Sequence, residues 1–358
     1  MKRVLMFIDS VGYGGAQKQF VCLSNLLKSK GYEVIILVVY SDFDFYRSSL
    51  NDIDIICDDK SRKPLNRLLR LPIFIAKQKP DVVISFLDSQ CIIASLAKLL
   101  GKFKLIVSER NTTQELTRQE KIKFWLYRFA DFIVPNSFSQ GSFIKEHYPS
   151  LRSKVRVITN VISQNEFTPS KVLAPNHIPQ IISVGRNVYQ KNYLGMVETV
   201  KIIKDRGVKA HFVWYAGKYT DNYYLSVEKK ISEYGLEDMI SIYDPVKNIA
   251  DKYRESDIFW IASFYEGFPN VLCEAMACGL PVVCSNVCDN GIIAENGKNG
   301  FHCSPDNPED MAEQLIRMIE MPEEKVQQIS HNNIKRIEEL CSENAFINKY
   351  VGLIESEE

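Results

Sequence analysis

Short β-branched runs alternate with helix-length stretches twice along this 358-residue chain, and that double alternation limits the fold more than any other feature. In the first half the predicted strands are 4–8, 34–39, 82–85, 105–107, 132–134 and 155–158. Helical patterns at 16–30, 90–99 and 121–130 lie between them. Uninterrupted apolar strands with intervening helices imply a parallel sheet covered on both faces. The texture then changes: residues 166–179 hold Pro169, Pro175 and Pro179 with little periodicity, and read as a linker. Alternation resumes with strands at 180–184, 212–215, 240–243, 258–262 and 281–284, and helices at 194–204, 223–234 and 308–319. The expectation is two doubly wound α/β domains in tandem, 1–165 and 180–335. Residues 336–358 are expected as a C-terminal helix crossing back to the first domain. Ligands in such sheets bind outside the carboxyl ends of the strands, so both sets of strand ends are expected to face one central cleft.

Composition removes several classes. Forty-four Lys and Arg balance 44 Asp and Glu, and 46% of residues are apolar, enough for a globular core. A mainly disordered chain is excluded on that ground. A spanning helix needs about 20 consecutive apolar residues, and the sequence has no such run. The first apolar run, residues 4–8, stops at Asp9 and is shorter than the roughly 7–15 residues of a secretory signal core. Nine cysteines, odd in number and without a Cys-x-x-Cys pair, sit inside apolar runs such as Val283-Cys284. They read as reduced thiols of a cytoplasmic protein.

Charge is unevenly placed. Residues 1–170 carry 25 Lys and Arg against 16 Asp and Glu, a net of +9; residues 171–358 carry 19 against 28, a net of −9. The basic half is expected to meet something anionic. Its sharpest piece, from Lys60 to Lys79, also holds Arg62, Lys63, Arg67, Arg70 and Lys77, with no acid and with Leu65, Leu68, Leu69, Leu71, Ile73, Phe74 and Ile75 among them. A basic helix with an apolar face can lie on an anionic membrane surface, where each cation adds about 1 kcal/mol. The alternative is a helix that packs its leucines on the sheet and keeps its cations in water. No nucleic-acid motif accompanies it, and nucleic acid is not expected as a partner.

Three motifs fall at predicted strand ends. Gly12-Tyr13-Gly14-Gly15-Ala16 follows the first strand and opens the first helix. Glycines there let a ligand approach the backbone, and the helix N-terminus favours an anion. The run nearly matches Gly-x-Gly-x-x-Gly, failing at Gln17, and a plain tight turn fits it as well. Gly185-Arg186, then Lys191-Asn192, follow the first strand of the second domain. A guanidinium fork and an ammonium five residues apart can clamp a diphosphate, or they are solvated surface cations. The third motif, residues 263–279, reads Ser-Phe-Tyr-Glu-Gly-Phe-Pro-Asn-Val-Leu-Cys-Glu-Ala-Met-Ala-Cys-Gly. Pro269 suits the first turn of a helix and Gly279 its end. Glu266 then lies in the loop and Glu274 inside the helix. The backbone from Gly267 and Phe268 through Pro269, Asn270 and Val271 to Leu272 offers free amides to an anion. Two carboxylates flanking an anion can accept bonds from hydroxyls on either side. That is the shape of a nucleotide sugar: ribose, diphosphate, hexose. A helix salt bridge is the bland reading of Glu274, and its neighbours Cys273, Ala275 and Met276 disfavour it.

With these pieces in order, the chain resembles the retaining glycosyltransferases of family 4, which have the GT-B fold. The matching stretches are Gly14-Gly15-Ala16, Ile158-Thr159-Asn160, Val184-Gly185-Arg186, Lys191-Asn192, Glu266-x7-Glu274, Gly279-Leu280-Pro281-Val282-Val283 and Asn296-Gly297-Lys298-Asn299-Gly300-Phe301. They span nearly the whole chain. The resemblance implies that Arg186 and Lys191 bind the donor diphosphate and neutralise the leaving group, beside Gly185. It implies that Glu274 meets the ribose and Glu266 the transferred sugar, and that Gly14 and Gly15 approach the donor from the first domain. Val246 would lie near the base. It further implies no metal and no cofactor beyond the nucleoside-diphosphate-sugar donor. Many relatives carry a histidine on the acceptor side of the first domain; here the stretch reads Ser108-Glu109-Arg110-Asn111, which makes Glu109, Arg110 and Asn111 the acceptor-side candidates. That form is similar to subfamilies that extend lipid-diphosphate-linked glycans in envelope polysaccharide synthesis. It implies a peripheral enzyme on the inner face of the cell membrane. The rival readings are a nucleotide-sugar epimerase of the same fold, a non-catalytic nucleotide-sugar-binding subunit, and a dinucleotide oxidoreductase built on Gly12–Gly15.

Overall fold

The computed structural model describes residues 1–113, 116–169, 178–217 and 222–357. Residues 170–177, most of the expected linker, lie outside them. The chain divides into two compact units, Met1–Val161 with Glu343–Glu358, and Ile162–Ser342.

The first unit is a six-stranded parallel sheet: β1 (Arg3–Ile8), β2 (Glu33–Val38), β3 (Asp54–Cys57), β4 (Val82–Phe86), β5 (Lys104–Glu109) and β6 (Phe132–Pro135), in the order β3-β2-β1-β4-β5-β6. Helices α1 (Gly15–Ser29), α2 (Pro64–Lys77), α3 (Asp88–Ala97), α4 (Arg118–Leu126) and α5 (Phe138–His147) connect the strands. Residues of one strand alternate between two cores. Val4, Met6 and Ile8 of β1 enter the first and Leu5 and Phe7 the second. This is the burial on both faces that a continuous apolar strand implies. The predicted strand at 155–158 does not form a full strand: Val155 makes an isolated bridge to Ile133, and Arg156 and Ile158 N–H donate to the Ile133 and Pro135 carbonyls at 2.9 and 3.1 Å.

The second unit repeats the plan with β7 (Gln180–Val184), β8 (His211–Tyr215), β9 (Ile240–Tyr243), β10 (Ile258–Ile261), β11 (Val282–Ser285) and β12 (Gly300–Cys303). Their order, β9-β8-β7-β10-β11-β12, is the same 3-2-1-4-5-6 winding. Its helices are α6 (Tyr193–Asp205), α7 (Asn222–Glu233), α8 (Ile249–Arg254), α9 (Asn270–Ala277), α10 (Asn290–Ile293), α11 (Pro308–Ile319) and α12 (Glu323–Cys341). After α12 the chain returns to the first unit as α13 (Glu343–Glu355). Its Phe346, Ile347, Tyr350, Leu353 and Ile354 complete the core on the α1 side of that sheet. The winding direction reverses between β1 and β4 and between β7 and β10. Neighbouring loops diverge at such points and open a crevice at the carboxyl ends.

Candidate functional site

At the second reversal, two loops are zipped together. The loop after β7 runs from Gly185 to Asn192, and the loop after β10 runs from Ala262 to Pro269. Phe264 N–H donates to the Gln190 carbonyl at 2.9 Å, and the Gln190 amide donates to the Tyr265 carbonyl at 2.8 Å. The Tyr189 ring stacks on Phe264 with centroids 5.0 Å apart. Asn192 adopts a left-handed conformation (φ 61°), caps α6 through Gly195 N–H and ties to the Pro305 carbonyl at 2.7 Å. This framework sets Lys191 Nζ 2.6 Å from Glu266 Oε1, with both side chains largely buried. The same oxygen accepts the Ser263 hydroxyl at 2.5 Å, and Glu266 N–H donates to Cys288 Sγ at 3.4 Å. The Lys191 stem crosses Gly185, where a Cβ would lie 3.2 Å from its Cε.

Two carboxylates, an ammonium and a guanidinium are therefore distributed as follows. Lys191 and Glu266 are in contact. Arg186 is exposed on the same loop and makes no ion pair among the described residues. Glu274, the fifth residue of α9, is half-buried and accepts the Tyr253 hydroxyl at 3.3 Å. Burial, reinforced by the Glu274 charge, pushes the Tyr253 hydroxyl well above its usual range and keeps it a donor. Val246 is exposed beyond β9. Pro269 is the cap of α9 and not its first residue. The expected run of free amides is interrupted: Asn270 N–H donates to the Phe268 carbonyl and Leu272 N–H to that of Pro269. The side chains of Phe268 and Leu272 belong to the core.

At the first reversal, Gly14 caps α1, and a Cβ there would meet Gln17 Oε1 at 2.2 Å. At Gly15, no described residue beyond its chain neighbours and its own helix backbone comes within 4 Å of such an atom. The expected acceptor-side trio is mostly internal. Glu109 is fully buried, 3.2 Å from Lys123 Nζ, and accepts the Tyr127 hydroxyl at 3.0 Å. Burial pushes its carboxyl up to about 8 against the pull of Lys123. Arg110 bonds Asn160 at 2.8 Å and Tyr350 at 3.0 Å, with its guanidinium over the Phe86 ring. Only Asn111 of the three is exposed, and it donates to Asp88 at 3.1 Å. The physical reason is the parallel ladder. Glu109 ends β5, paired with Pro135 of β6, and a side chain there can turn inward to a buried lysine. Among the described residues no group of three or more His, Cys, Asp or Glu is placed to hold a metal ion, and no helix is long and apolar enough to cross a membrane.

Comparison with known families accounts for this plan. Residues 13–166 match the model of Glycosyltransferase Family 4, and residues 164–336 match that of Glycosyl transferases group 1. The chain belongs to the GT-B glycosyltransferases. This glycosyltransferase is 27% identical over 313 residues to the amylovoran biosynthesis glycosyltransferase AmsD of Erwinia amylovora, covering 83% of this chain and 85% of that one. It is 26% identical over 305 residues to a Campylobacter jejuni N-acetylgalactosamine-N,N'-diacetylbacillosaminyl-diphospho-undecaprenol 4-alpha-N-acetylgalactosaminyltransferase, covering 80% and 81%. Its fold matches the crystal structure of Anabaena HepE in complex with UDP, with a TM-score of 0.83 at 16% identity over 98% of each chain. Sequence reasoning missed Ser263, Tyr253 and Cys288 in the glycosyltransferase. Ser263 carried a signal, three residues before Glu266 at a strand end, whereas Tyr253 and Cys288 reach the site only through the tertiary fold.

Proposed function

We propose that this glycosyltransferase moves a hexose or N-acetylhexosamine from a nucleoside-diphosphate sugar, UDP-sugar favoured, to a glycan hydroxyl with retention of configuration. The observation that carries the reading is the Lys191–Glu266 pair where β7 and β10 diverge, in the half of the chain matched by the group 1 model. In this reading Arg186 and Lys191 neutralise the diphosphate as the C1–O bond to it breaks, and Glu266 and Glu274 receive hydroxyls of the transferred sugar and the ribose. The acceptor oxygen bonds C1 on the face the diphosphate leaves. The acceptor proton passes to the departing phosphate oxygen, and a nucleoside diphosphate is released without a metal ion. The first unit takes the acceptor, a glycan on a lipid diphosphate, in envelope polysaccharide synthesis. The names of the Erwinia and Campylobacter relatives and the UDP in the HepE complex support these choices.

The enzyme works at the inner face of the cell membrane, with α2 on anionic lipid. Leu65, Leu68, Leu69 and Ile73 of that helix are exposed, while only Leu71, Pro72 and Ile75 are buried. Lys63, Lys77 and Lys79 are exposed at its two ends. Incubation with a panel of nucleoside-diphosphate sugars and polyprenyl-diphosphate glycans tests the proposal. It expects one donor to give an α-linked product by NMR. A changed donor sugar without acceptor, or donor binding with no transfer to any acceptor, would overturn it.

A further inference from the structure

Two loops of the first unit carry aromatic side chains that no core uses. Tyr13 is 83% exposed, Phe43 61% and Phe45 62%. Tyr13 stands in the turn after β1, and the other two in the loop after β2. Their rings are organised edge to face: Tyr13 and Phe45 have centroids 5.3 Å apart, Phe45 and Tyr46 4.9 Å, and Tyr40 and Phe43 6.3 Å. The backbone fixes the arrangement. Tyr46 N–H donates to the Val11 carbonyl at 2.9 Å, and Val39 and Tyr40 N–H both donate to that of Asp9 at 2.9 Å. A Cβ at Gly12 would sit 3.1 Å from Phe43 Cβ, so the absence of a side chain at 12 lets the second loop lean on the first.

Clustered exposed rings mark a binding surface, and charge selects the occupant. Residues 41–47 contribute two acids, Asp42 and Asp44, against one cation, Arg47. Arg62 engages Asp42 with both terminal nitrogens, at 2.8 and 2.9 Å, and holds its carboxyl below the usual range. Asp44 is exposed between Phe43 and Phe45. An acid in that place repels anionic lipid, which suits the lysines of α2 instead. A neutral sugar ring satisfies both features: its C–H face lies on an aromatic ring, and its hydroxyls donate to a carboxylate. The location is also the carboxyl edge of the sheet, beside the turn at Gly14 and Gly15. We propose that Tyr13, Phe43 and Phe45 form a stacking platform for the saccharide of the acceptor, with Asp44 receiving its hydroxyls. This rests on the reading that the acceptor is a glycan.

The test compares the full-length protein with Phe43→Ala/Phe45→Ala and Asp44→Asn. One readout is steady-state transfer to a polyprenyl-diphosphate oligosaccharide. The double variant, which removes two stacking rings, should raise the acceptor KM about fivefold or more. Donor KM, kcat and sedimentation with anionic vesicles should stay within about twofold of wild type. Asp44→Asn should raise the acceptor KM less. The second readout is calorimetry with free neutral trisaccharides, which needs no turnover. Wild-type binding lost in the double variant supports the platform. Equal binding by both, an unchanged acceptor KM, or a drop in vesicle binding that matches the drop in activity overturns it. Trisaccharide binding by a wild-type protein that transfers nothing overturns the transferase reading and leaves the platform standing.

Discussion

Replacing Lys191 by methionine removes an ammonium and keeps the stem that crosses Gly185. That ammonium lies 2.6 Å from Glu266 Oε1, with side-chain exposures of 17% and 6%. Without it, and among the described residues, the Glu266 carboxylate keeps only the Ser263 hydroxyl as a side-chain partner. Breaking a fully buried pair costs about 3–5 kcal/mol because a charge is stranded. The Ser263 bond and the remaining access to water place this pair near about 3 kcal/mol. The second unit, Ile162–Ser342, spans 181 residues. At that size each kcal/mol moves Tm by about 2–4 °C, so a fall of roughly 6–12 °C is expected. Lys191→Met/Glu266→Gln removes the stranded charge and should restore most of the Tm. UDP affinity should not return with it. The lost charge-assisted bond to a diphosphate is worth about 1.5–3 kcal/mol, roughly 10- to 150-fold in Kd. Differential scanning calorimetry and titration with UDP read the two effects separately. If the double variant regains both Tm and UDP affinity, the lysine serves only to neutralise Glu266 and the diphosphate assignment is wrong. A single variant that melts like wild type would show that the pair does not form in solution.

Other perturbations probe other parts of the molecule. Glu109 has a folded pKa of about 8 against an ordinary value of 4.5, so the folded state holds an extra proton across that window and stability falls as pH rises through it. Glu109→Gln should match wild type near pH 4 and be the more stable protein at pH 8.5 by urea denaturation; parallel pH profiles would mean Glu109 is ionised throughout. Lys63→Gln/Lys77→Gln/Lys79→Gln should weaken affinity for anionic vesicles, read by sedimentation, by roughly a hundredfold without lowering Tm, because these cations add about 1 kcal/mol each only near a charged surface; unchanged sedimentation removes α2 as the membrane contact. Ending the chain at Ser342 deletes five buried apolar side chains of α13, each contributing about 1.5–3 kcal/mol. The first unit should then fail to give a cooperative melt, and an intact transition would contradict the packing.

The fold was legible where burial is uniform. Strands covered on both faces show as apolar runs, and β1, β2 and β4 through β11 lie within a residue or two of their predicted positions. Edge strand β3 was hidden by its short length and the aspartates around it, Asp52 and Asp54 before and Asp58 and Asp59 after its apolar residues, and β12 by Gly300 and His302. The stretch from 155 to 158 reads as a strand by composition, but β6 takes only one bridge from it. At the candidate site, spacing pointed to Lys191 and Glu266 because loops after parallel strands carry polar groups in nearby positions, and to Glu274 because an acid stands among apolar neighbours in α9. The inward turn of Glu109 and Arg110 was not readable. It depends on Lys123 from α4 and on Tyr350, which joins the first sheet 240 positions after Arg110.

That distant partner has a consequence for biosynthesis. The first unit is written in two separate pieces, and the ribosome makes the second piece only after every residue of the other unit. A nascent chain therefore carries an open seam along α1, with Arg110 lacking Tyr350, while residues 162–342 already include every segment of the second unit. The domain translated first is in this sense the one finished later, and any premature stop in the final stretch damages the amino-terminal half.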